Sequence, residues 1–241
     1  MTTEELQKHA RKYVFDYFYE NCYAPVIEEI MRRFCLEREE AHILLQALES
    51  SHHILLVPET QRILMANPFS GITTPFRDSI GGKTYFTNCA WDTISLHVML
   101  GQDTEVSSFC HGCAEPIKIQ LSRGRVASSE PDAPLIFLTI PVANWYDNLI
   151  NTCANNMVYF SSGEHRDRWL QSHPGLVGET LTVEKMAKAC RPLSEGRMKL
   201  DYVRPSPKEL MAYWSSIGLS SGYWRIYSSS QAPLNGSLGK T

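Results

Sequence analysis

The sequence predicts an α+β fold, in which an antiparallel β core is flanked by helices and preceded by a winged-helix-like helical module. Two observations predict this class. Apolar residues recur at helical spacing through residues 4–50, and from Thr104 to Pro141 they alternate or form short runs that turns separate. Because the connections between these short runs are themselves short, the strands are expected to be antiparallel neighbours.

The N-terminal part of the chain, residues 1–66, is expected to hold three helices and a hairpin. Helical periodicity covers residues 4–20, 26–34 and 37–50, and the turn Pro58-Glu59-Thr60-Gln61 then joins two short apolar runs. This arrangement resembles a winged-helix module, which would suggest DNA binding. The helices are not enriched in Lys or Arg on one face and the net charge is −3, so we favour a helical cap and expect no nucleic-acid partner.

The rest of the chain divides by composition into four further parts. Residues 67–80 contain two prolines and a glycine without periodicity, which indicates a linker or a lid loop. Residues 81–190 form the main core. Residues 191–227 carry a capping box and an aromatic cluster that must be buried on the core, over a pocket or in a homodimer contact. Residues 228–241, rich in Ser and Gly, are expected to be disordered.

Composition places the chain among ordinary globular proteins, with 43% hydrophobic and 20% charged residues. It contains no apolar run of membrane-spanning length, so we expect no contact with a membrane. The acidic, polar start Met1–Glu5 lacks the features of a signal peptide, which favours a cytoplasmic location. The seven cysteines, an odd number at irregular spacing, are therefore expected to be thiols.

The segment Tyr85–Thr93 carries the main functional signal. A β-favouring stretch runs into an apolar run that Gly101 closes, which predicts a strand, a short turn and a helix with Cys89 and Asp92 at its start. Residues three apart share a helix face, so the two side chains should be neighbours. A helix N-terminus favours a thiolate, and burial keeps a proton on a carboxyl group. The structural alternative is a buried Cys89 with Asp92 as a first-turn cap.

A second cysteine pair lies in the turn Cys110-His111-Gly112-Cys113, which is half of a zinc knuckle. Structural zinc usually needs four ligands, and the sequence contains no second C-x-x-C pair. We therefore expect these thiols to be buried or unused, with His111 at the surface. His165, among charged neighbours on a predicted surface helix, is expected to be solvated.

The region Tyr85–Val106, with Cys89-Ala90-Trp91-Asp92-Thr93 at its centre and Val106–Cys110 after it, resembles the active-site region of the organomercurial (alkylmercury) lyases. The resemblance implies that Cys89, Asp92 and a downstream cysteine carry the chemistry. We assign the downstream cysteine to Cys153, which precedes the aromatic strand Met157–Ser162. Its distance from that strand is one residue longer than in the lyases.

The resemblance extends over residues 25–190, and beyond Arg191 the chain departs from the lyase pattern. It implies an enzyme that cleaves a carbon–mercury bond: the thiolates of Cys89 and Cys153 would bind the substrate mercury, and Asp92 would protonate the carbon. It implies no cofactor, and low-molecular-weight thiols would remove the product. Two alternatives stay open. One is an enzyme for an organic metabolite, with Cys89 as nucleophile and Asp92 as acid/base, and the other is a non-catalytic sensor of a metal or small molecule that contacts DNA.

Overall fold

The computed structural model describes residues 2–226 and has an α+β fold built on antiparallel strands. The helices are α1 Thr3–Asn21, α2 Ile27–Phe34, α3 Arg38–Ser50, α4 Ala90–Leu100, α5 Leu149–Asn156, α6 Gly163–Gln171, α7 Val183–Ser194 and α8 Pro207–Ser216. The strands are β1 Leu55–Leu56, β2 Ile63–Ala66, β3 Phe69–Ser70, β4 Phe76–Ile80, β5 Lys83–Thr87, β6 Thr104–Phe109, β7 Pro116–Ser122, β8 Arg125–Glu130, β9 Leu135–Leu138, β10 Met157–Phe160 and β11 Glu179–Thr182. The predicted fold class is confirmed.

The strands form two sheets. The larger has the order β1-β2-β3-β5-β4-β6-β7-β8, and the smaller has the order β10-β9-β11. The single meander expected between residues 104 and 141 is therefore wrong in part, because β9 leaves it and becomes the centre of the smaller sheet. Leu135–Leu138 is a continuous apolar run, as expected for a strand covered on both faces, and Pro131 and Pro134 separate it from β8.

The three N-terminal helices lie where the periodicity predicts them. The hairpin that follows is continuous with the main sheet, since β2 pairs with β3 and β3 pairs with β5. Phe69 of β3 stacks on Phe18 of α1 with their ring centroids 5.2 Å apart. This contact joins the helices to the sheet. The likeness of the first 66 residues to a winged helix stays a prediction.

Residues 67–80, which the sequence predicts to be a linker or a lid loop, instead contain the strands β3 and β4 of the larger sheet. Both Phe69 and Phe76 are buried opposite Thr87 of β5. β3 has only two residues, and the inward positions of β4 include the polar Asp78, so neither strand shows an apolar alternation in the sequence.

The C-terminal segment packs onto the same domain. Helix α8 begins at Pro207 with the predicted capping box of Ser206 and Glu209. Trp214 is fully buried, and its indole N–H donates to the carbonyl of Ala189 in α7 at 2.9 Å. Within residues 2–226 no helix is both long and apolar enough to cross a membrane. The expected disordered tail, residues 228–241, lies outside the described residues.

Candidate active site

Helix α4 starts directly after β5 and lies in the protein core, where it packs against α7. Cys89 is its N-cap residue with an extended backbone, and Gly101 ends it in the left-handed conformation at φ 64°. This is the strand, turn and helix that the sequence predicts. The helix is buried on nearly all sides, so polar side chains in its first turn face a dry environment.

Three predicted site residues meet at the start of α4. The ligand atoms of Cys89, Asp92 and Cys153 all lie within 4.8 Å of one another, and each residue is at most 2% exposed. Cys153 comes from α5, which begins at Leu149 behind the N-cap Asn148. The Asn148 side chain accepts the backbone N–H of Asn151 at 3.0 Å and so caps the helix, whereas Val142–Asn144 form a short 3-10 turn.

The Asp92 carboxyl group is held by two amides. Asn88 donates to its Oδ2 at 2.9 Å and Asn67 donates to the same oxygen at 3.2 Å. Burial raises the pKa of Asp92 to about 6, while the Asn88 hydrogen bond and the positive charge of Arg197 oppose the rise. Sequence reasoning missed Asn88, Asn67 and Arg197. The position of Asn88 next to Cys89 was the one local signal that could have identified it.

The protonation state of the Cys89 thiol differs from the one that the sequence predicts. Burial raises its pKa well above the ordinary value, and the neighbouring Cys153 and the charge on Asp92 raise it further. The expected helix-stabilised thiolate is therefore wrong for the free protein. Cys89 is wholly enclosed, and the cost of desolvating a charge at this depth exceeds the effect of the helix N-terminus. Its Sγ lies 3.6 Å from the Sδ of Met157.

The space over the thiols is small. The cavity that Cys89, Asp92 and Cys153 line has a volume of about 40 Å³, which is comparable to one or two waters. A second cavity of about 350 Å³ lies beside it, and Asn67, Tyr146 and Arg197 form walls of both. A substrate larger than water therefore fits over the thiols only if the lining of the smaller cavity rearranges.

The turn with the other cysteine pair also departs from expectation. His165 is half-buried, and its Nδ1 lies 3.3 Å from the Sγ of Cys113 and 3.7 Å from the Sγ of Cys110. Burial tends to raise the pKa of Cys110, but hydrogen bonds from Ser161, His165 and the backbone of Gly112 outweigh it and lower that pKa to about 7.

The expected surroundings of the two histidines are corrected accordingly. His165 contacts the cysteines and is not simply solvated. His111, expected at the surface, is half-buried, and its ring centroid lies 5.2 Å from that of Trp169. Both contacts join the β6–β7 turn to α6, across elements far apart in the sequence, which helical periodicity cannot report.

Comparison with known proteins decides the family. The family model described as MerB, alkylmercury lyase, matches residues 69–195, which is more than half of the chain. The chain belongs to the alkylmercury lyase family. Its members include the alkylmercury lyase of Bacillus cereus, 29% identical over 113 residues, or 47% of this chain and 50% of the relative. That of Streptomyces lividans is 28% identical over 135 residues, or 55% of this chain and 61% of the relative.

The chain spans about half the length of the curated alkylmercury lyases that it matches. The solved structure described as the mercury-bound form of MerB2 aligns with a TM-score of 0.62 and 22% identity, over 81% of this chain and 100% of that one. At this identity the likeness concerns the fold. The matched family region contains Cys89, Asp92 and Cys153 and ends just before Arg197.

Proposed function

We propose that this protein cleaves the carbon–mercury bond of organomercurials by protonolysis. In this proposal Cys89 and Cys153 bind the substrate mercury, and Asp92 transfers the proton. The observation that carries the proposal is the placement of two buried thiols and one carboxyl group within 4.8 Å of each other, in a chain of the alkylmercury lyase family. Thiolates are the ligands that a soft cation prefers.

The protonation states set the order of events. Near neutral pH the Asp92 carboxyl group, with a pKa of about 6, is mostly ionised, whereas burial keeps the Cys89 thiol protonated. Asp92 therefore accepts the proton of Cys89 as its sulfur binds the mercury, and so becomes the acid that the second step requires.

The second step breaks the carbon–mercury bond heterolytically. The bonding electron pair stays with the carbon, which takes the proton from Asp92 and leaves as the hydrocarbon. Mercury(II) stays bound to the two thiolates. The two thiols lose two protons in total, of which one ends on the carbon and the other is released, so no oxidant or reductant is needed. Low-molecular-weight thiols would then remove the mercury by ligand exchange.

The surroundings of Asp92 support this shuttle. The amides of Asn88 and Asn67 hold one carboxyl oxygen in place and favour the ionised form that accepts the first proton. The same enclosure excludes water from the bound substrate, so the proton is delivered from a fixed donor.

One observation favours a second candidate function, namely an enzyme on this scaffold that acts on an organic metabolite through Cys89 and Asp92. The cavity of about 350 Å³ beside the thiols is lined by His52, His53, Tyr146 and Arg197. These groups could hold a polar substrate larger than a simple organomercurial. In that case Cys153 would be dispensable, whereas mercury binding requires both thiols.

The test is hydrocarbon release. The purified protein is incubated with phenylmercury and excess thiol, and benzene is measured in the headspace by gas chromatography. We expect turnover in the wild type and loss of turnover in Cys89→Ser, Asp92→Asn and Cys153→Ser. The matched control is Cys35→Ser, which changes an exposed cysteine at the end of α2 and should leave turnover unchanged. Mercury binding without benzene release by the wild type would refute the proposal.

A further inference from the structure

A second group of metal-ligating side chains lies outside the site described above, in the β6–β7 turn and the first turn of α6. Cys110, Cys113 and His165 place their ligand atoms within 4.8 Å of one another. This group differs from the candidate active site in burial, since Cys110 is buried, His165 is half-buried and Cys113 is exposed. A metal ion can therefore reach it directly from solvent.

The backbone of the turn brings the two thiols together. The N–H groups of Cys113 and Ala114 both point at the carbonyl of Cys110, at 3.4 Å and 2.8 Å, and Ala114 adopts a positive φ of 61°. The Cys110 N–H donates to the carbonyl of Glu115 at 2.7 Å and closes the turn. A C-x-x-C turn closed in this way presents both sulfurs on one side, as each half of a zinc knuckle does.

The backbone of His165 is held in place independently of the cysteines, because the Ser162 hydroxyl caps α6 by accepting the His165 N–H at 3.2 Å. The Ser161 hydroxyl lies 2.6 Å from the His165 Nδ1, and a metal ion at that nitrogen would replace this hydrogen bond. That nitrogen lies 3.3 Å and 3.7 Å from the two sulfurs. With Zn–S and Zn–N bonds of about 2.3 and 2.0 Å at tetrahedral angles, a nitrogen and a sulfur on one zinc ion are about 3.5 Å apart. The observed separations lie on either side of this value.

We propose that Cys110, Cys113 and His165 form a binding site for Zn²⁺, with three protein ligands and a fourth position that is open to solvent. A mixed thiolate and imidazole set suits a borderline cation such as Zn²⁺, whereas mercury(II) is satisfied by two thiolates. The Glu115 carboxylate lies beside this site and accepts a long hydrogen bond from the Cys113 thiol, with 3.9 Å between the oxygen and the sulfur.

Zinc at this position links the two sheets. Cys110 and Cys113 lie between β6 and β7 of the larger sheet, and His165 follows β10 of the smaller one. The N–H of His111 already donates to the Tyr159 carbonyl of β10 at 2.8 Å, so the ion reinforces an existing junction. The expected consequence is a higher melting temperature, because zinc binds the folded arrangement and not the unfolded chain. The inference does not depend on the proposed lyase activity.

The experiment uses the full chain and zinc alone. After metal removal and dialysis against zinc under reducing conditions, bound metal is measured by mass spectrometry and the affinity by competition with a chromophoric chelator. We expect one zinc ion per chain in the wild type and a rise in Tm on zinc addition. Cys113→Ser and His165→Asn should each weaken binding by about 100-fold, since even the loss of a supporting residue costs about 10- to 100-fold, and should abolish the rise in Tm.

Three controls separate this site from other cysteines and histidines. Cys35→Ser and His9→Asn change exposed residues outside the cluster and should keep wild-type affinity. Cys89→Ser should also keep it, since Cys89 belongs to the candidate active site. Cys113 is exposed and His165 is half-buried, and circular dichroism would verify that both metal-free variants fold. Zinc binding that survives both test variants but is lost in Cys89→Ser would overturn the proposal, as would a wild type that binds no zinc.

Discussion

The hydrogen bond from Asn88 to Asp92 should set the pH range in which the proposed reaction occurs. Asp92 must be ionised to accept the Cys89 proton, so kcat/KM should fall tenfold for each pH unit below the Asp92 pKa, which is about 6. Asn88→Ala removes a 2.9 Å hydrogen bond to the ionised form. A hydrogen bond to a charged group contributes about 1.5–3 kcal/mol, which corresponds to about one to two pKa units. The acid limb should therefore move up by one to two pH units.

The assay is benzene release at limiting phenylmercury over a range of pH values. Asn67→Ala, which removes the longer 3.2 Å bond, should shift the limb in the same direction but less. The control is Asn155→Ala, which removes an exposed hydrogen bond from a side-chain amide on the helix that carries Cys153. A limb that stays in place in Asn88→Ala, or wild-type activity that rises as the pH falls through 6, would refute the assignment of Asp92 as the initial base. NMR of the Asp92 carboxyl carbon gives the same titration without turnover.

Three further predictions concern stability and access. Asp78 is buried with neither carboxyl oxygen partnered among residues 2–226, and burial raises its pKa well above the usual value. Between its unfolded pKa and the raised pKa of the folded state, the folded protein keeps a proton that the unfolded chain releases, so the free energy of unfolding should fall by about 1.4 kcal/mol per pH unit over that interval. Urea titrations should find that slope removed in Asp78→Asn and kept in Asp132→Asn. Trp214→Ala empties a fully buried site and loses the bond to Ala189, which should cost about 3–5 kcal/mol in the same titrations. Tyr146→Ala opens the wall between the two cavities and should raise kcat/KM for phenylmercury more than for methylmercury; equal effects would contradict a gating role.

The sequence predicted the parts of the site that are local. The apolar run ending at Gly101 specified α4, and the three-residue spacing of Cys89 and Asp92 put both at its start. Periodicity reports such relations because they depend on one element. The nearness of Cys153 depends on how α5 packs against α4, and the resemblance to the lyases supplied that assignment where the pattern of residues could not.

The residues that sequence reasoning missed belong to long-range contacts. His165 reaches the Cys110 turn from 55 positions away, because β10 and α6 fold back beside it. Arg197 lies beyond the matched family region and affects the Asp92 pKa only through the folded arrangement. The sequence predicted that the helix N-terminus favours the Cys89 thiolate, whereas burial raises the pKa of this thiol. A position at a helix start is visible in a sequence, but complete burial is not.

The central claim is that the two thiols bind the mercury and Asp92 transfers the proton. A single turnover without added thiol tests it most directly. Phenylmercury is mixed with excess wild-type protein, and both the released benzene and the mercury retained after gel filtration are measured. We predict one benzene per phenylmercury, with the mercury retained on the protein. Asp92→Asn lacks both the base for Cys89 and the acid for the carbon, so it should release no benzene, and Cys153→Ser should neither retain the mercury nor release benzene efficiently. Benzene release by Asp92→Asn at the wild-type rate would contradict the account, since the proton would then come from elsewhere.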